Sequence, residues 1–374
     1  MQLILHIGTH KTGTSAVQEC LYRNERRLAE RGIYYAHRPR SPTLNQLAHL
    51  IATGRKAEAQ ALLDNHLAKA RAGGATTLLI SAESFFAMTM FFCKLEGELV
   101  EDYWAAESRA IELLQSVLPA DLSKRVVVFF RRQDKFLESV YAQTVRTRPL
   151  SESCEQFRDT AGEALDYARY MRLWSRAFPD CAVYTYEETA NDAARFFLRN
   201  VLEIGDTKQF EALDLRVNTS LARDLVEYKR ELNKVNSFVD RRMSNFVCAE
   251  LERVVADDGR YHDYLSPDAR EKLLRDVEPS NATLRRDFGM TPFPLLTAQS
   301  AGDWKSYPGL LPERANELRA RHDTIKRTPR YQLERTTLLL RQVTRRVRAM
   351  LASTDSPRAL RGTRRDFTQT SKPS

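Results

Sequence analysis

The sequence predicts an α/β protein: a central parallel sheet flanked by helices, followed by a mostly helical C-terminal half. Three observations lead there. Five short runs rich in β-branched and aromatic residues alternate with longer stretches whose apolar residues recur at helical spacing. Such alternation requires crossover connections, which put helices on both faces of a parallel sheet. The first run passes into its helix through a glycine-bearing loop, and beyond about residue 190 the helical spacing continues without further strand-type runs.

In order, Met1-Gln2-Leu3-Ile4-Leu5 is an apolar run of strand type, and Val17, Cys20, Leu21 and Leu28 form a helical face that Gly32 closes. Ile33-Tyr34-Tyr35 reads as a short strand, and 43–72 as an Ala- and Leu-rich helix ending at Gly73-Gly74. Thr76–Ser81 is a buried strand, 95–118 a helix, and Arg125–Phe130 a central parallel strand bounded by charge. The next helix shows Phe136, Leu137, Val140 and Tyr141 on its apolar face. Residues 163–178 form another, and Cys181–Tyr186 is the last strand. Helices are then expected over 190–203, 219–235 and 239–256. A further one opens at Ser266-Pro267, with Ser as N-cap and Pro at the first helical position, and a short one covers 280–288. Two basic helices, 313–327 and 331–351, precede a tail rich in Ser, Thr, Arg and Pro that reads as disordered. The organisation expected is an α/β domain over 1–297, a basic helical extension over 298–352 and a tail over 353–374.

With 43% apolar residues in 374, a sizeable core is available. The five cysteines are scattered, with no C-x-x-C pair, which argues against a disulfide framework or a zinc site and fits a reducing, cytoplasmic compartment. The N-terminal run has no basic region before it and reads as a strand rather than a signal peptide. No apolar run approaches the roughly 20 residues of a membrane span. The net charge of +9 is unevenly placed: residues 310–374 hold 16 Lys+Arg against 6 Asp+Glu, a net +10, and residues 1–309 net −1.

The loop itself is His6-Ile7-Gly8-Thr9-His10-Lys11-Thr12-Gly13-Thr14-Ser15. Strand, glycine loop and helix together make an anion site, because backbone N–H groups and the positive end of the helix dipole converge on one point. Gly8, Gly13 and Ser15 match the Walker A spacing, so the fold is P-loop-like. Thr14, however, occupies the lysine slot, and Lys11 lies inside the loop. A second feature is Arg131, at the C-terminal end of the predicted central strand where ligands collect in open α/β sheets. Ser139 stands eight positions on, in the following helix.

The Lys11-Thr12-Gly13-Thr14-Ser15 core after an N-terminal strand, with Arg131, Ser139 and Tyr141 at their spacing, resembles the sulfotransferases that use 3′-phosphoadenosine 5′-phosphosulfate (PAPS), in their bacterial form. Gln133 stands where many relatives have Pro, and Phe136 where some have a second Arg. Gly302-Asp303-Trp304-Lys305 echoes a late family motif. The resemblance covers 1–200 by motif and 200–295 by texture. It implies sulfuryl transfer from PAPS to an acceptor hydroxyl, on a carbohydrate or glycolipid, with no metal. Lys11, Thr12, Gly13, Thr14 and Ser15 would hold the 5′-phosphosulfate, and Arg131 and Ser139 the 3′-phosphate.

Catalysis would fall to Lys11, for charge on the leaving phosphate, and to a general base. Glu83, just past a strand end beside Phe85 and Phe86, is the first choice, because partial desolvation there would raise its pKa. His49 is the second. His10 reads as shaping the cofactor pocket, and His6 as packed at the strand end. Two rival readings stay open: a P-loop kinase of small molecules, and a non-catalytic nucleotide-site protein recruited by its basic tail. For the C-terminal segment the readings are a solvated helix with a frayed tail, docking on a polyanionic glycan, or contact with an anionic membrane, which would put the protein at the inner membrane surface. No nucleic-acid partner is expected, since aromatic residues are not interleaved with the charge. The acceptor pocket would be built from 40–72, 85–118 and 200–260, where nothing spells a ligand.

Overall fold

The computed structural model describes residues 1–9, 12–36, 43–189, 192–215, 222–234, 237–255, 263–294 and 307–354. Five parallel strands form its sheet among these residues: β1 (Gln2–His6), β2 (Ile33–Tyr35), β3 (Thr77–Ser81), β4 (Ser123–Phe130) and β5 (Asp180–Thr185). Their order is β2-β3-β1-β4-β5. Pairing sets His6 opposite both Ser81 and Val127, so β1 and β3 stop level at one edge. β4 runs three residues further, to Phe130 beside Thr185 of β5. The chain turns from one side of β1 to the other between β3 and β4, so the crevice at the C-terminal end of β1 is the switch point of this sheet.

Both faces are buried, as the near-continuous apolar strands require. Leu3, Leu5, Leu78, Ile80, Val126, Val128 and Phe130 enter one core, and Ile4, Leu79, Val127 and Phe129 the other. The period of two along each strand does this sorting. On the first face lie α3 (Thr43–Ala52), α4 (Lys56–Ala72), α5 (Met88–Phe92), α6 (Tyr103–Val117), α7 (Gln133–Thr147), α8 (Cys154–Thr160) and α9 (Tyr167–Ala177). The second is covered by α1 (Thr14–Arg23), α2 (Glu25–Ala29) and, after the single turn α10 (Tyr186–Thr189), by α11 (Ala193–Asn200). Next come α12 (Arg223–Leu232), α13 (Phe238–Glu252), α14 (Pro267–Phe288), α15 (Pro312–Lys326) and α16 (Pro329–Thr354). The α/β class and the helical C-terminal half are as the sequence predicts.

Several boundaries differ, each for a local reason. The stretch 43–72 is two helices, because Thr53-Gly54 turns the chain between them. The helix expected from 95 starts at Tyr103, where the Asp102 side chain accepts the Ala105 N–H as an N-cap. α8 escaped the sequence reading, although Ser153 and Gln156 form a full capping box at its start. The short helix expected at 280–288 belongs to the 22-residue α14, which runs through Pro279. Proline removes one ladder bond there, but burial of Leu273 on one side and of Asn281 and Leu284 on the other holds the axis. Asn281 also meets the buried Gln133 amide at 2.6 Å. The five cysteines are free, and four of them are buried. No helix among the described residues is long and apolar enough to cross a membrane. The 353–374 stretch, apart from the last two residues of α16, and Gly302–Lys305 lie outside the described residues.

A buried ionic cluster fixes the start of α7 against α14. Asp134, fully buried, takes Arg132 at 2.8 Å and Arg270 at 3.2 Å. Asp263, 2% exposed, takes Lys135 at 2.6 Å and a second arm of Arg270. Arg270→Ala would leave two buried carboxylates with one fewer cation and is expected to destabilise the fold by about 3–5 kcal/mol, measured as a shift in the urea midpoint at constant m-value.

Candidate functional site

The glycine loop leaves β1 at Ile7, whose N–H still bonds the Val127 carbonyl. Thr9 then fastens it to β4: its N–H (3.2 Å) and its hydroxyl (3.0 Å) both donate to the Phe129 carbonyl. The buried Thr12 hydroxyl donates to the Thr9 carbonyl at 2.8 Å and lies 3.3 Å from that of Thr14. Gly13 is the N-cap of α1 at φ 74°, a left-handed conformation that favours glycine. A Cβ there would also lie 3.3 Å from the Ala193 Cβ and 3.5 Å from the Tyr186 ring. The first turn of α1, from Thr14 through Ser15, has no acidic residue, so the positive end of its dipole is not offset locally. His10 and Lys11 lie outside the described residues.

Arg131 and Ser139, paired in sequence only by spacing, meet: the Arg131 guanidinium donates to the Ser139 hydroxyl at 2.8 Å. The guanidinium carbon lies over the Tyr186 ring, 5.2 Å from its centre. Tyr186 therefore lies near both halves of the site, with its ring close to Gly13 and under the Arg131 guanidinium. The Tyr167 hydroxyl donates to the Arg131 carbonyl at 2.9 Å, and the Arg132 N–H donates to Glu187 at 3.0 Å, which locks the strand end. Tyr141 does not join them. It is fully buried and donates to Glu227 of α12 at 2.6 Å, and burial followed by that carboxylate pushes its pKa up.

Glu83 opens a single turn, Glu83–Phe85, directly after β3. It is half-buried, and the Gln18 amide of α1 donates to it at 3.2 Å and to the Ser81 carbonyl at 3.0 Å. Ser81 also bonds the His6 ring at 2.8 Å. Burial lowers the His6 pKa to about 3, so the ring is neutral, packed between Phe129 and Phe197 as the sequence suggests. His49 lies on α3, one turn beyond Asn45, which accepts a 2.8 Å bond from Ser84. Its own ring packs edge-on against Phe92 at 5.4 Å. The loop, Arg131, Ser139 and Glu83 thus share one edge of the sheet, and α3, which bears His49, is bonded to the Glu83 turn through Asn45 and Ser84.

Two participants, Gln18 and Tyr186, were missed by sequence reasoning. Gln18 had a signal: it is a polar residue next to Val17 on the inward side of α1, one turn after Thr14. Tyr186 had none, because it reads as the end of a strand.

The segment that carries Glu83 is held from behind by Glu107 of α6. This fully buried carboxylate accepts the backbone N–H groups of Met88 (3.1 Å) and Thr89 (2.8 Å), which cap α5. Desolvation raises its pKa to about 7.

No family model matches the chain. An uncharacterized protein of Archaeoglobus fulgidus is 24% identical over 167 residues, and the match spans 44% of this chain and 45% of that one, less than half of either. Among solved structures, a sulfotransferase from Alicyclobacillus acidocaldarius superposes with a TM-score of 0.42 at 13% identity, over 78% of this chain and 97% of that one.

Glu107 generates a pH dependence. Its folded pKa of about 7 exceeds the ordinary glutamate value of 4.5, so the folded state keeps the proton that the unfolded state loses between those values. The Glu107 contribution to stability is therefore full below pH 4.5 and is lost as pH rises to 7. Glu107→Gln is expected to flatten that part of the stability–pH curve, read as urea midpoints of variant and wild type across the range.

Proposed function

We propose that this chain is a sulfotransferase that moves a sulfuryl group from PAPS to an acceptor hydroxyl on a carbohydrate or glycolipid. The observation that carries the reading is the Arg131–Ser139 pair at 2.8 Å, joined through Tyr186 to the glycine loop. It makes two anion-binding elements at one sheet edge, as a donor with both a 5′- and a 3′-phosphate requires. The loop amides and Lys11 would take the 5′-phosphosulfate and the charge that grows on the leaving phosphate. Arg131 and Ser139 would take the 3′-phosphate.

Glu83 is the base in this reading, held by Gln18. It removes the acceptor proton as the acceptor oxygen forms its bond to sulfur and the bond from sulfur to the 5′-phosphate oxygen breaks, releasing adenosine 3′,5′-bisphosphate. His49, with Phe92, would line the acceptor side. β4 is followed by Arg131 and not by the carboxylate that holds Mg²⁺ in P-loop NTPases, and Thr14 replaces their lysine. Both substitutions disfavour a kinase.

Calorimetric titration tests the donor. Adenosine 3′,5′-bisphosphate is expected to bind in the micromolar range without Mg²⁺, and each of Lys11→Ala and Arg131→Ala to weaken it about tenfold or more, ~1.4 kcal/mol. Preference for Mg-ATP, or indifference to Arg131→Ala, would overturn the proposal. Glu83→Gln is expected to leave bisphosphate binding intact and to lower sulfuryl transfer by about 10²–10⁴-fold. Equal loss of binding would assign Glu83 to structure instead.

A further inference from the structure

The C-terminal helix α16 has two faces of different character. Tyr331 and Leu338 are buried, in a core shared with Val247 and Leu251 of α13 and Leu318 of α15. The Arg330–Glu250 ion pair at 2.8 Å and the Tyr331–Phe246 ring contact at 6.0 Å hold that face down. On the opposite face, four large apolar side chains are exposed among the described residues, with Thr336 between the first two. Leu333 is 71% exposed, Leu340 64%, Val343 57% and Val347 48%. Leu333, Leu340 and Val347 recur every seven residues, with Val343 between them, which makes one stripe along a helix. A soluble surface scatters its exposed apolar residues, whereas a contiguous stripe marks an interaction surface.

Charge decides which surface fits. Across 329–354 the sequence has six arginines and one acidic residue, Glu334. Arg335 and Arg341 are exposed, and helical spacing sets them on opposite shoulders of the stripe. A second copy would bring arginines toward arginines without the acidic flanking residues that pair helices. A soluble polyanion would satisfy the arginines but leave the leucines and valines in water. An anionic bilayer satisfies both: apolar side chains enter the boundary between headgroups and acyl chains, while arginine stems lie along it with their heads at the phosphates. We propose that α16 docks this protein on an anionic membrane surface through the Leu333–Leu340–Val343–Val347 stripe, lying in the plane of the interface.

The test is flotation of the full chain with two vesicle types, phosphatidylcholine alone and phosphatidylcholine with about one-third phosphatidylglycerol. Binding is expected to the anionic vesicles alone, and to fall as salt rises from ~0.1 M to ~1 M and the screening length shrinks from about 10 Å to about 3 Å. Leu340→Glu with Val343→Glu is expected to reduce binding at least tenfold without lowering the melting temperature, since both side chains are already in water. Arg335→Gln with Arg341→Gln should weaken binding to the anionic vesicles and steepen its loss with salt less than in the wild type. No binding, equal binding to both vesicle types, or binding unaffected by the glutamates would overturn the proposal. So would a concentration-dependent dimer in sedimentation that the glutamates abolish, which would assign the stripe to a second copy.

Discussion

The parallel register of β1 between β3 and β4 is the constraint on which the candidate site depends. Because His6 is level with Ser81 and Val127, the loop after β1, the turn at Glu83 and the extension of β4 to Phe130 emerge side by side. The extra length of β4 matters as much as the register. It carries the Phe129 carbonyl up to Thr9, where it accepts two bonds, and sets Arg131 beyond the loop rather than beneath it. A slip of one residue would exchange the two cores, sending Val127 and Phe129 to the side now held by Val126 and Val128. With both faces buried, that exchange has no solvent-exposed alternative, so packing specifies the site geometry before any ligand contributes.

Behind the loop, neutral hydrogen bonds transmit this register to the carboxylate. His6 bonds Ser81, and Gln18 spans from Ser81 to Glu83, so strand end, first helix and turn are tied to the carboxylate through the neutral groups of His6, Ser81 and Gln18. The burial that holds His6 neutral is what makes this arrangement compatible with an anion site, because a histidine whose pKa has fallen to about 3 neither competes for the ligand nor repels the arginine across the crevice. Ionic partners are used instead at the root of α7, where Asp134 and Asp263 are each paired with buried or half-buried cations.

This division explains what could be read from the chain alone. The glycine loop, Arg131 and Ser139 are legible because each is local: a strand, a turn chemistry and an eight-residue offset across one strand end and one helix. Tyr186 was illegible because its role is created by pairing of β4 with β5, which sets residue 186 beside residue 131 across a 55-residue gap. Tyr141 misled in the opposite sense. Its spacing from Ser139 fits a site residue, yet two positions along a helix is about 200° of rotation, which turns it away from the crevice and into the core against Glu227. The separate helix expected at 280–288 is continuous with the one opening at Ser266-Pro267, because packing carries α14 through Pro279. The charge asymmetry at the C-terminus was plain in composition, but which face of the last helix is buried depends on α13, and no periodicity in 331–351 reveals its partner.

The same packing shows why the basic helix is not an appendage. α12 touches α7 through the Tyr141–Glu227 bond, and Asn233 at its end donates to the carbonyls of Val145, Arg148 and Leu150 at 2.9, 3.1 and 2.8 Å. α13, α15 and α16 then build on α12 around Leu225, Tyr228 and Leu318, with Tyr228 bonded to His322 at 2.8 Å. A continuous run of packed elements therefore joins the helix bearing Ser139 to the helix bearing the apolar stripe. Rigid packing of this kind fixes orientation: whatever surface receives α16 also sets which way the crevice at the sheet edge faces. Among the described side chains of α16, the buried ones, Tyr331 and Leu338, lie in its first half. A helix held to a core on the face of Tyr331 and Leu338 can present the opposite stripe while the core beneath stays closed.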